Sequence, residues 1–393
     1  MSNPELVKSI KKKFIELFKE KPCLYSSPGR INLIGEHTDY NMGFVLPAAI
    51  DKAIYLAISP RKDLQCKIFA YDLNDYFECS LEKISKSEKH WQNYLLGVVD
   101  QIRKAGYKYS GFNCVFGGDI PIGAGLSSSA ALEAGLAFAL NKIFDLGIDN
   151  LSLVKMSQKA ENEFVGVNCG IMDQHINIFG KEGKVLRLDC RNLEYEYFPF
   201  DFENISIVLF DTNISHSLAS SEYNTRREEC NTGVQIIKND FPFVESLRDV
   251  SQDILSGYKS KMSPTIFKRC KYVIEENIRV LRACEALNKK DLRVFGELIN
   301  ESHEGLSNEY EVSCTELDFL AEVSKYNSKV YGSRMMGGGF GGCTINLIET
   351  KAVEKVSEEV QKQYKKKFGN EVKVYNTQIG NGTKQMEYED ETY

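Results

Sequence analysis

The chain has 393 residues, of which 42% are hydrophobic and 26% are charged, and its formal net charge is −6. This length favours two domains, and the acidic balance lacks the basic excess that drives nonspecific binding to nucleic acid. No apolar run approaches the roughly 20 residues that span a bilayer. We therefore predict neither a nucleic-acid partner nor a membrane partner.

The spacing of the cysteines and histidines bears on metal binding and on the cellular location of the protein. Eleven cysteines are scattered along the chain without a Cys-x-x-Cys pair, and the five histidines lie too far apart for a zinc site. Reduced, mostly buried thiols are typical of a cytoplasmic protein. We predict that location.

The predicted elements begin with an amphipathic helix, because Leu6, Ile10, Phe14 and Leu17 recur at helical spacing. Strand-like runs lie at 53–59, 111–116, 186–200, 206–211, 344–348 and 371–378. Helical patterns lie at 127–144, 151–164, 264–284 and 291–303. We place a domain boundary near residue 195, which gives an amino-terminal domain of residues 1–195 and a carboxy-terminal domain of residues 196–393.

The most informative motif runs from Pro28 to Asn41. Apolar and polar residues alternate only from Arg30 to Ile34, as in a half-buried strand. The motif then becomes polar, with Glu36, His37, Thr38, Asp39, Tyr40 and Asn41 in succession. A solvated turn is the structural alternative. We predict a short strand that leads into a binding loop, because loops on rigid scaffolds concentrate binding groups.

A second motif, Gly123-Ala124-Gly125-Leu126-Ser127-Ser128-Ser129, opens the first long Ala/Leu-rich helix. Glycine permits close approach to a ligand, and a helix N-terminus offers unpaired N–H groups to phosphate. One serine there would be only an N-cap, but three serines after two glycines exceed what a cap needs. Because no Gly-Lys-[Ser/Thr] follows, this is not a Walker A loop. We predict a phosphate loop of another kind.

A third motif is the glycine-rich loop at residues 337–342. Gly337, Gly339 and Gly342 satisfy the G-x-G-x-x-G spacing of dinucleotide sites. Such a site needs a strand before the glycines and a helix after them, whereas here a strand-like run follows. We therefore reject dinucleotide binding.

Three further residues each have a structural and a functional interpretation. Asp173 lies among small and apolar residues, where a carboxylate either caps a helix or serves a function. Glu161 reads as an ordinary solvated helix residue or as a ligand. Trp91, the only tryptophan, reads as a core residue or as a ligand contact. The residues alone leave these alternatives open.

Together, these motifs resemble the galactokinase family of the GHMP kinases. The run from Pro28 to Asn41 is similar to its sugar signature, and residues 125–130 are similar to its Gly-Leu-Ser-Ser-Ser-Ala phosphate loop. The Cys-Gly-Ile-Met-Asp-Gln run at 169–174 is similar to its catalytic segment. The resemblance implies an α+β fold of two domains, with ATP and the sugar in the cleft between them.

The resemblance also implies a role for each candidate residue. Asp173 would be the general base, with Arg30 as its charge partner. The sugar contacts would be Glu36, His37, Thr38, Asp39 and Tyr223. The phosphate loop from Gly123 to Ser129 would hold ATP, with Trp91 beside the adenine. The ligands of Mg²⁺ would be Ser129 and Glu161.

The implied activity is the phosphorylation of D-galactose at its C1 hydroxyl, by a monomer. Two alternatives stay open, a related kinase for N-acetylgalactosamine or arabinose and a non-catalytic galactose sensor on the same fold. The uninterrupted serine run and the presence of both Arg30 and Asp173 favour turnover. One departure from the family pattern is Met336, where threonine is usual.

Overall fold

The computed structural model describes residues 3–121, 123–214 and 219–387, and only the backbone of 219–221. The helices are α1 (Pro4–Phe18), α2 (His90–Lys104), α3 (Ser128–Ile143), α4 (Asn150–Lys159), α5 (Met172–Phe179), α6 (Ala219–Lys238), α7 (Gln252–Ser256), α8 (Pro264–Asn288), α9 (Leu292–Gly305), α10 (Thr315–Lys325) and α11 (Val353–Phe368). The strands are β1 (Cys23–Asn32), β2 (Phe44–Val45), β3 (Pro47–Pro60), β4 (Gln65–Ala70), β5 (Asp75–Ser80), β6 (Phe112–Gly118), β7 (Lys184–Asp189), β8 (Tyr195–Pro199), β9 (Ile205–Asp211), β10 (Val330–Met335), β11 (Cys343–Glu349), β12 (Lys373–Thr377) and β13 (Lys384–Met386). Among these helices, none combines the length and apolar content needed to cross a bilayer.

A six-stranded sheet, in the order β13-β1-β3-β6-β4-β5, forms the framework of the first half. Its neighbours are antiparallel, except for the parallel pair of β4 and β6. Helix α3 packs against β1 and β3, and small residues allow a close approach, since a Cβ at Gly135 would lie 2.7 Å from Ser27 Cβ. The end of β1 therefore lies beside the start of α3, where the backbone N–H of Arg30 donates to the carbonyl of Leu126 at 3.1 Å.

The second half is built on an antiparallel four-stranded sheet, in the order β10-β11-β9-β12, with α9 and α10 packed on β10. A small third sheet joins β2, β7 and β8. One buried apolar cluster contains side chains of both halves, for example Ile31 and Leu33 with Leu209 and Val280. This shared core fixes the first half against the second, and the binding loops lie at the junction.

The glycine-rich loop 337–342 connects β10 to β11 as a hairpin. The sequence did not indicate β10, because Gly332, Ser333 and Arg334 interrupt its apolar pattern. These three residues are nevertheless buried, because helices α9 and α10 cover β10. A strand thus precedes the glycines, but another strand and not a helix follows them, so the dinucleotide fingerprint is not fulfilled.

The structure corrects three predicted elements. The single strand at 186–200 is the hairpin of β7 and β8, which turns through Leu193 in the left-handed conformation (φ 64°). The helix at 151–164 is α4 followed by a π-helical turn, Ala160–Val165. The strand at 371–378 is not the last one, because β13 follows it and pairs with β1 of the first half. The domain boundary near residue 195 stays a prediction.

Candidate active site

A cavity of about 630 Å³ lies where the loop after β1, the first turn of α5, helix α6 and the glycine-rich loop meet. It brings together residues that are far apart in the sequence. Six predicted site residues line it, namely Arg30, Glu36, His37, Asp39, Asp173 and Tyr223. Neither Thr38 nor Trp91, both in the described part of the chain, is among its lining residues.

An ion pair between Arg30 and Asp173 lines the cavity. Arg30 Nε donates to Asp173 Oδ1 at 2.7 Å, and Arg30 Nη2 donates to Asp173 Oδ2 at 2.9 Å. This bidentate geometry fixes both side chains. Arg30 is only 6% exposed, and its remaining nitrogen, Nη1, donates to the carbonyl of Gly125. The arginine therefore ties the carboxylate directly to the phosphate loop.

Ser127 adds a third donor to Asp173. Its backbone is left-handed (φ 57°) at the start of α3, a conformation that non-glycine residues rarely adopt, and its hydroxyl donates to Asp173 Oδ2. A carboxylate has about four acceptor positions. Three are filled by the two Arg30 nitrogens and Ser127, which leaves about one for the hydroxyl of a ligand. The sequence placed Ser127 on the phosphate loop but gave no sign of this bond.

Asp39 is a buried carboxyl group that lies close to the negative charge of Asp173. Its burial, followed by the negative charge of Asp173, raises the pKa of Asp39 to about 7. Asp39 lies against Gly170, where a Cβ would overlap the carboxyl group and would lie 2.9 Å from Asp39 Cβ. The absence of a side chain at position 170 therefore makes room for Asp39, a role that sequence reasoning did not assign.

Glu36 connects the loop after β1 to the glycine-rich loop. Its Oε1 accepts from the backbone N–H of Gly337 at 2.8 Å and from Arg334 Nη2 at 3.0 Å. Arg334 is completely buried and also donates to the carbonyls of Leu33 and Met335, at 2.7 and 2.6 Å. Arg334 was not predicted as a site residue, because an arginine within a short irregular run gives no local signal of such burial.

His37 has a left-handed backbone (φ 61°) and is packed among aromatic rings. Its Nδ1 lies 2.7 Å from Tyr40 Oη, and its ring centroid lies 5.0 Å from that of Tyr310 and 5.4 Å from that of Tyr223. Burial, followed by the charge of Arg226, lowers the pKa of His37 to about 3. The imidazole is therefore neutral at physiological pH and acts in the cavity as an uncharged polar group.

The side chain of Thr38 contacts the backbone of its own loop and does not line the cavity. It is fully buried, and its hydroxyl lies 2.9 Å from the carbonyl oxygen of Gly35 and 2.6 Å from that of Phe44. Both oxygens are acceptors within the same loop. The hydroxyl therefore closes the loop and is turned away from the cavity.

The phosphate loop is open where its glycines lie. Within the described part of the chain, Gly123 (φ 80°) has no atom within 4 Å of the Cβ position, and at Gly125 (φ 73°) the nearest atom is Met336 O at 3.6 Å. The side chains of Ala124 and Leu126 are buried in the core, so these two residues can offer a ligand only their backbones. Helix α3 begins at Ser128, which directs its free N–H groups toward this open space.

Glu161 and Ser129 belong to different elements, and their side chains lie close to each other. Glu161 belongs to the π-helical turn after α4, a feature that often marks functional sites, and its Oε2 lies 3.3 Å from the thiol of Cys169, which donates to it. Its Oε2 also accepts from Gln174 Nε2 at 2.7 Å. Burial raises the pKa of Glu161 and raises that of the neighbouring Glu133 well above its usual value. A hydroxyl and a carboxylate are hard oxygen donors, which fit Mg²⁺.

Trp91 lies at the start of α2 next to His90, which lines the cavity, but is itself not a lining residue. Its Nε1 donates to Asp75 Oδ2 at 3.2 Å, and its ring centroid lies 5.6 Å from that of Phe116 and 6.3 Å from that of Phe77. The ring is half-buried. It therefore leaves one part of its surface available beside strands β5 and β6.

Three family models match this chain, and they cover the elements that build the site except for helix α6. The galactokinase galactose-binding signature matches residues 12–60, the N-terminal domain of GHMP kinases matches residues 93–181, and the C-terminal domain matches residues 283–366. The first match includes Arg30 and the loop after it. The second includes the phosphate loop, Glu161 and Asp173.

Relatives and solved structures agree with these matches. A galactokinase of Roseiflexus sp. is 41% identical, covering 91% of each chain, and one of Thermotoga maritima is 41% identical, covering 92% of this chain and 99% of its own. The crystal structure of Lactococcus lactis galactokinase complexed with galactose superposes with a TM-score of 0.94 at 35% identity, covering 97% of this chain and all of that one. A mevalonate kinase of Methanococcus jannaschii, at 18% identity and a TM-score of 0.64 over 92% of this chain and all of its own, shares the fold. The predicted α+β two-domain GHMP fold is confirmed, and the chain belongs to the galactokinase family of ATP-dependent sugar kinases.

Proposed function

We propose that the chain transfers the γ-phosphoryl group of ATP to the C1 hydroxyl of D-galactose. The observation that carries the proposal is the Arg30–Asp173 pair. It lies between the phosphate loop, which Arg30 contacts at Gly125, and the loop after β1, residues 35–44, which we call the sugar loop. A kinase must hold a sugar hydroxyl and a phosphoryl group next to each other. This pair touches the phosphate loop through Gly125 and opens into the cavity lined by the sugar signature.

In this proposal, Asp173 is the general base. With three donors already on its oxygens, the carboxylate has about one acceptor position left, which would hold the C1 hydroxyl and take its proton. Arg30 holds the carboxylate in one orientation and places positive charge beside the phosphoryl group in transfer. Ser127 holds the carboxylate in place from the other side.

The sugar contacts of the proposal are Glu36, His37, Asp39 and Tyr223, which line the same cavity. Carboxylates and a neutral imidazole suit the hydroxyl groups of a sugar, because they accept hydrogen bonds from them. The phosphate loop would hold the nucleotide phosphates through backbone N–H groups and serine hydroxyls. Trp91 would pack on the adenine. That the protein acts as a cytoplasmic monomer stays a prediction.

Mg²⁺ would be held by Ser129 and Glu161, with the nucleotide phosphates and water completing its coordination. Its chemistry would be to neutralise charge on the phosphate oxygens. We expect Ser129→Ala and Glu161→Gln each to raise the Mg²⁺ concentration needed for half-maximal rate, because each variant loses an oxygen ligand or its charge. A titration of Mg²⁺ at saturating ATP and galactose measures this. Ser152→Ala, a partly exposed serine in the first turn of α4, is the matched control, and curves for both site variants that overlay the wild type would exclude the assignment.

The substrate is tested with a panel of sugars in an assay coupled to ADP release. We expect D-galactose to be far better than D-glucose, which differs only in the orientation of its C4 hydroxyl. A site built to bond that hydroxyl leaves a buried acceptor unpaired when the epimer binds. N-Acetylgalactosamine should be poor, because it adds bulk at C2.

The outcomes of the panel separate the alternatives. Comparable kcat/KM for galactose and N-acetylgalactosamine would identify the chain as an N-acetylgalactosamine kinase. A preference for arabinose would identify it as an arabinose kinase. Galactose binding in a calorimeter without ADP release would identify a sensor.

A further inference from the structure

Several polar side chains of helix α8 hydrogen-bond to the sugar loop (residues 35–44). The helix belongs to the second half of the chain and is well defined, since it starts at the N-cap Ser263 with proline at its first position. Tyr272, Glu276 and Asn277 each hydrogen-bond the backbone of this loop. None of the three belongs to the motifs that the sequence singled out.

Glu276 is the central contact. It is completely buried, and its Oε1 accepts from the backbone N–H of Gly35 at 2.9 Å and from Ser302 Oγ at 2.6 Å. Its Oε2 accepts from Arg279 Nε at 2.6 Å. Both oxygens are thus used, and a buried carboxyl with this full set of partners holds one geometry. Gly35 is the residue directly before Glu36.

The two neighbours of Glu276 hold the rest of the loop. Tyr272 Oη donates to the carbonyl of Glu36 at 3.0 Å, and Asn277 Oδ1 accepts from the backbone N–H of Phe44 at 2.8 Å. The fit leaves no spare room, because a Cβ at Gly43 would overlap Asn277 Oδ1. Both ends of the sugar loop are therefore bonded to one helix.

The loop needs such support, because its backbone is unfavourable by itself. Gly35 (φ 93°) and His37 (φ 61°) are both left-handed, and such a residue other than glycine persists only where its surroundings determine it. The ring of Tyr272 extends the support, since its centroid lies 4.7 Å from that of Tyr310, which packs on His37.

We propose that α8 sets the geometry of the sugar site, with Glu276 and Tyr272 as positioning residues that act through the sugar loop. The proposal deepens the proposed function and depends on it. Neither residue lines the cavity, so each would influence the sugar only through the backbone of the loop. The nucleotide side of the site, at α3, would be unaffected.

The test measures KM for galactose and KM for ATP separately. In Glu276→Gln, the amide oxygen should turn to Arg279, because that bond is charge-assisted, and the amide NH₂ then faces the Gly35 N–H. We expect KM for galactose to rise about tenfold, the scale of one unpaired buried donor, while KM for ATP changes less than about twofold. Tyr272→Phe removes one hydroxyl without changing the packing, and we expect a rise of about threefold to fivefold. Glu285→Gln, on the exposed face of α8, is the matched control and should behave as the wild type.

Calorimetric titration with galactose in the absence of nucleotide gives a second readout, which should weaken by the same factors. If both variants bind galactose as the wild type does, or if they lose kcat with both KM values unchanged, the proposal is wrong. Should Glu276→Gln fail to fold, Tyr272→Phe alone decides. Absence of galactose turnover by the wild type would instead contradict the proposed function, so the two failures are distinguishable.

Discussion

Asp173→Asn is expected to lower kcat by about 10²-fold or more, the range attributed to a positioned general base, while galactose still binds. The amide has nearly the same shape as the carboxyl group but cannot take the hydroxyl proton. It also cannot satisfy both Arg30 nitrogens, because one of its ends is itself a donor. Arg30, which is only 6% exposed, would therefore lose part of its compensation, and a lower melting temperature should accompany the loss of rate.

The measurement combines steady-state kinetics at saturating substrates with calorimetric binding of galactose and a thermal melt. Asp253→Asn, an exposed aspartate in the first turn of α7, is the matched control for the same change of charge. A folded Asp173→Asn enzyme with near-normal kcat would remove Asp173 from the role of base. Arg30 and the phosphate loop would then have to supply the catalysis by positioning and charge alone.

Gly170→Ala is expected to lower kcat/KM for galactose by about 10²-fold, because a displacement of a binding group by about 1 Å has effects of this size. The added methyl group would overlap the Asp39 carboxyl group. Either Asp39 or the segment that carries Asp173 must then move. We expect most of the effect in KM for galactose, since Asp39 is a proposed sugar contact.

A double-mutant cycle tests the cause. In an Asp39→Gly background both the obstructing carboxyl group and the Cβ, which would lie 2.9 Å away, are gone, so Gly170→Ala should add little further loss. Gly257→Ala is the matched control, because a Cβ at Gly257 would meet only an ordinary contact, Ile254 O at 3.4 Å. Equal losses from Gly170→Ala with and without Asp39 would show that the contact between these two residues is not responsible.

The sequence alone was sufficient for the family, the fold class and six residues of the cavity lining. The reason is that three parts of the site are contiguous in the chain. Residues 28–41 include most of the sugar loop, residues 123–129 form the phosphate loop, and residues 169–174 contain Asp173. A contiguous run of polar residues and glycines contradicts the local demands of a strand or helix, and this is why such a run is visible without a structure.

The sequence was less successful where a residue looked ordinary in its own element. Thr38 appeared to belong with its polar neighbours, yet its hydroxyl lies against the carbonyls of Gly35 and Phe44. Arg334 and Glu276 have the charge of surface residues but are buried completely. Burial of a charged side chain depends on partners elsewhere in the chain, so no local pattern reveals it.

What the sequence determined by itself was therefore the family and the loops that carry the proposed reacting groups, because these depend on residue type and short-range order. Only the tertiary structure decided their arrangement. Arg30 meets Asp173 across 143 residues, and Glu276 meets the N–H of Gly35 across 241 residues. Such contacts come from the packing of the two halves on one shared core, and hydrogen bonds formed across that packing have no periodicity along the chain.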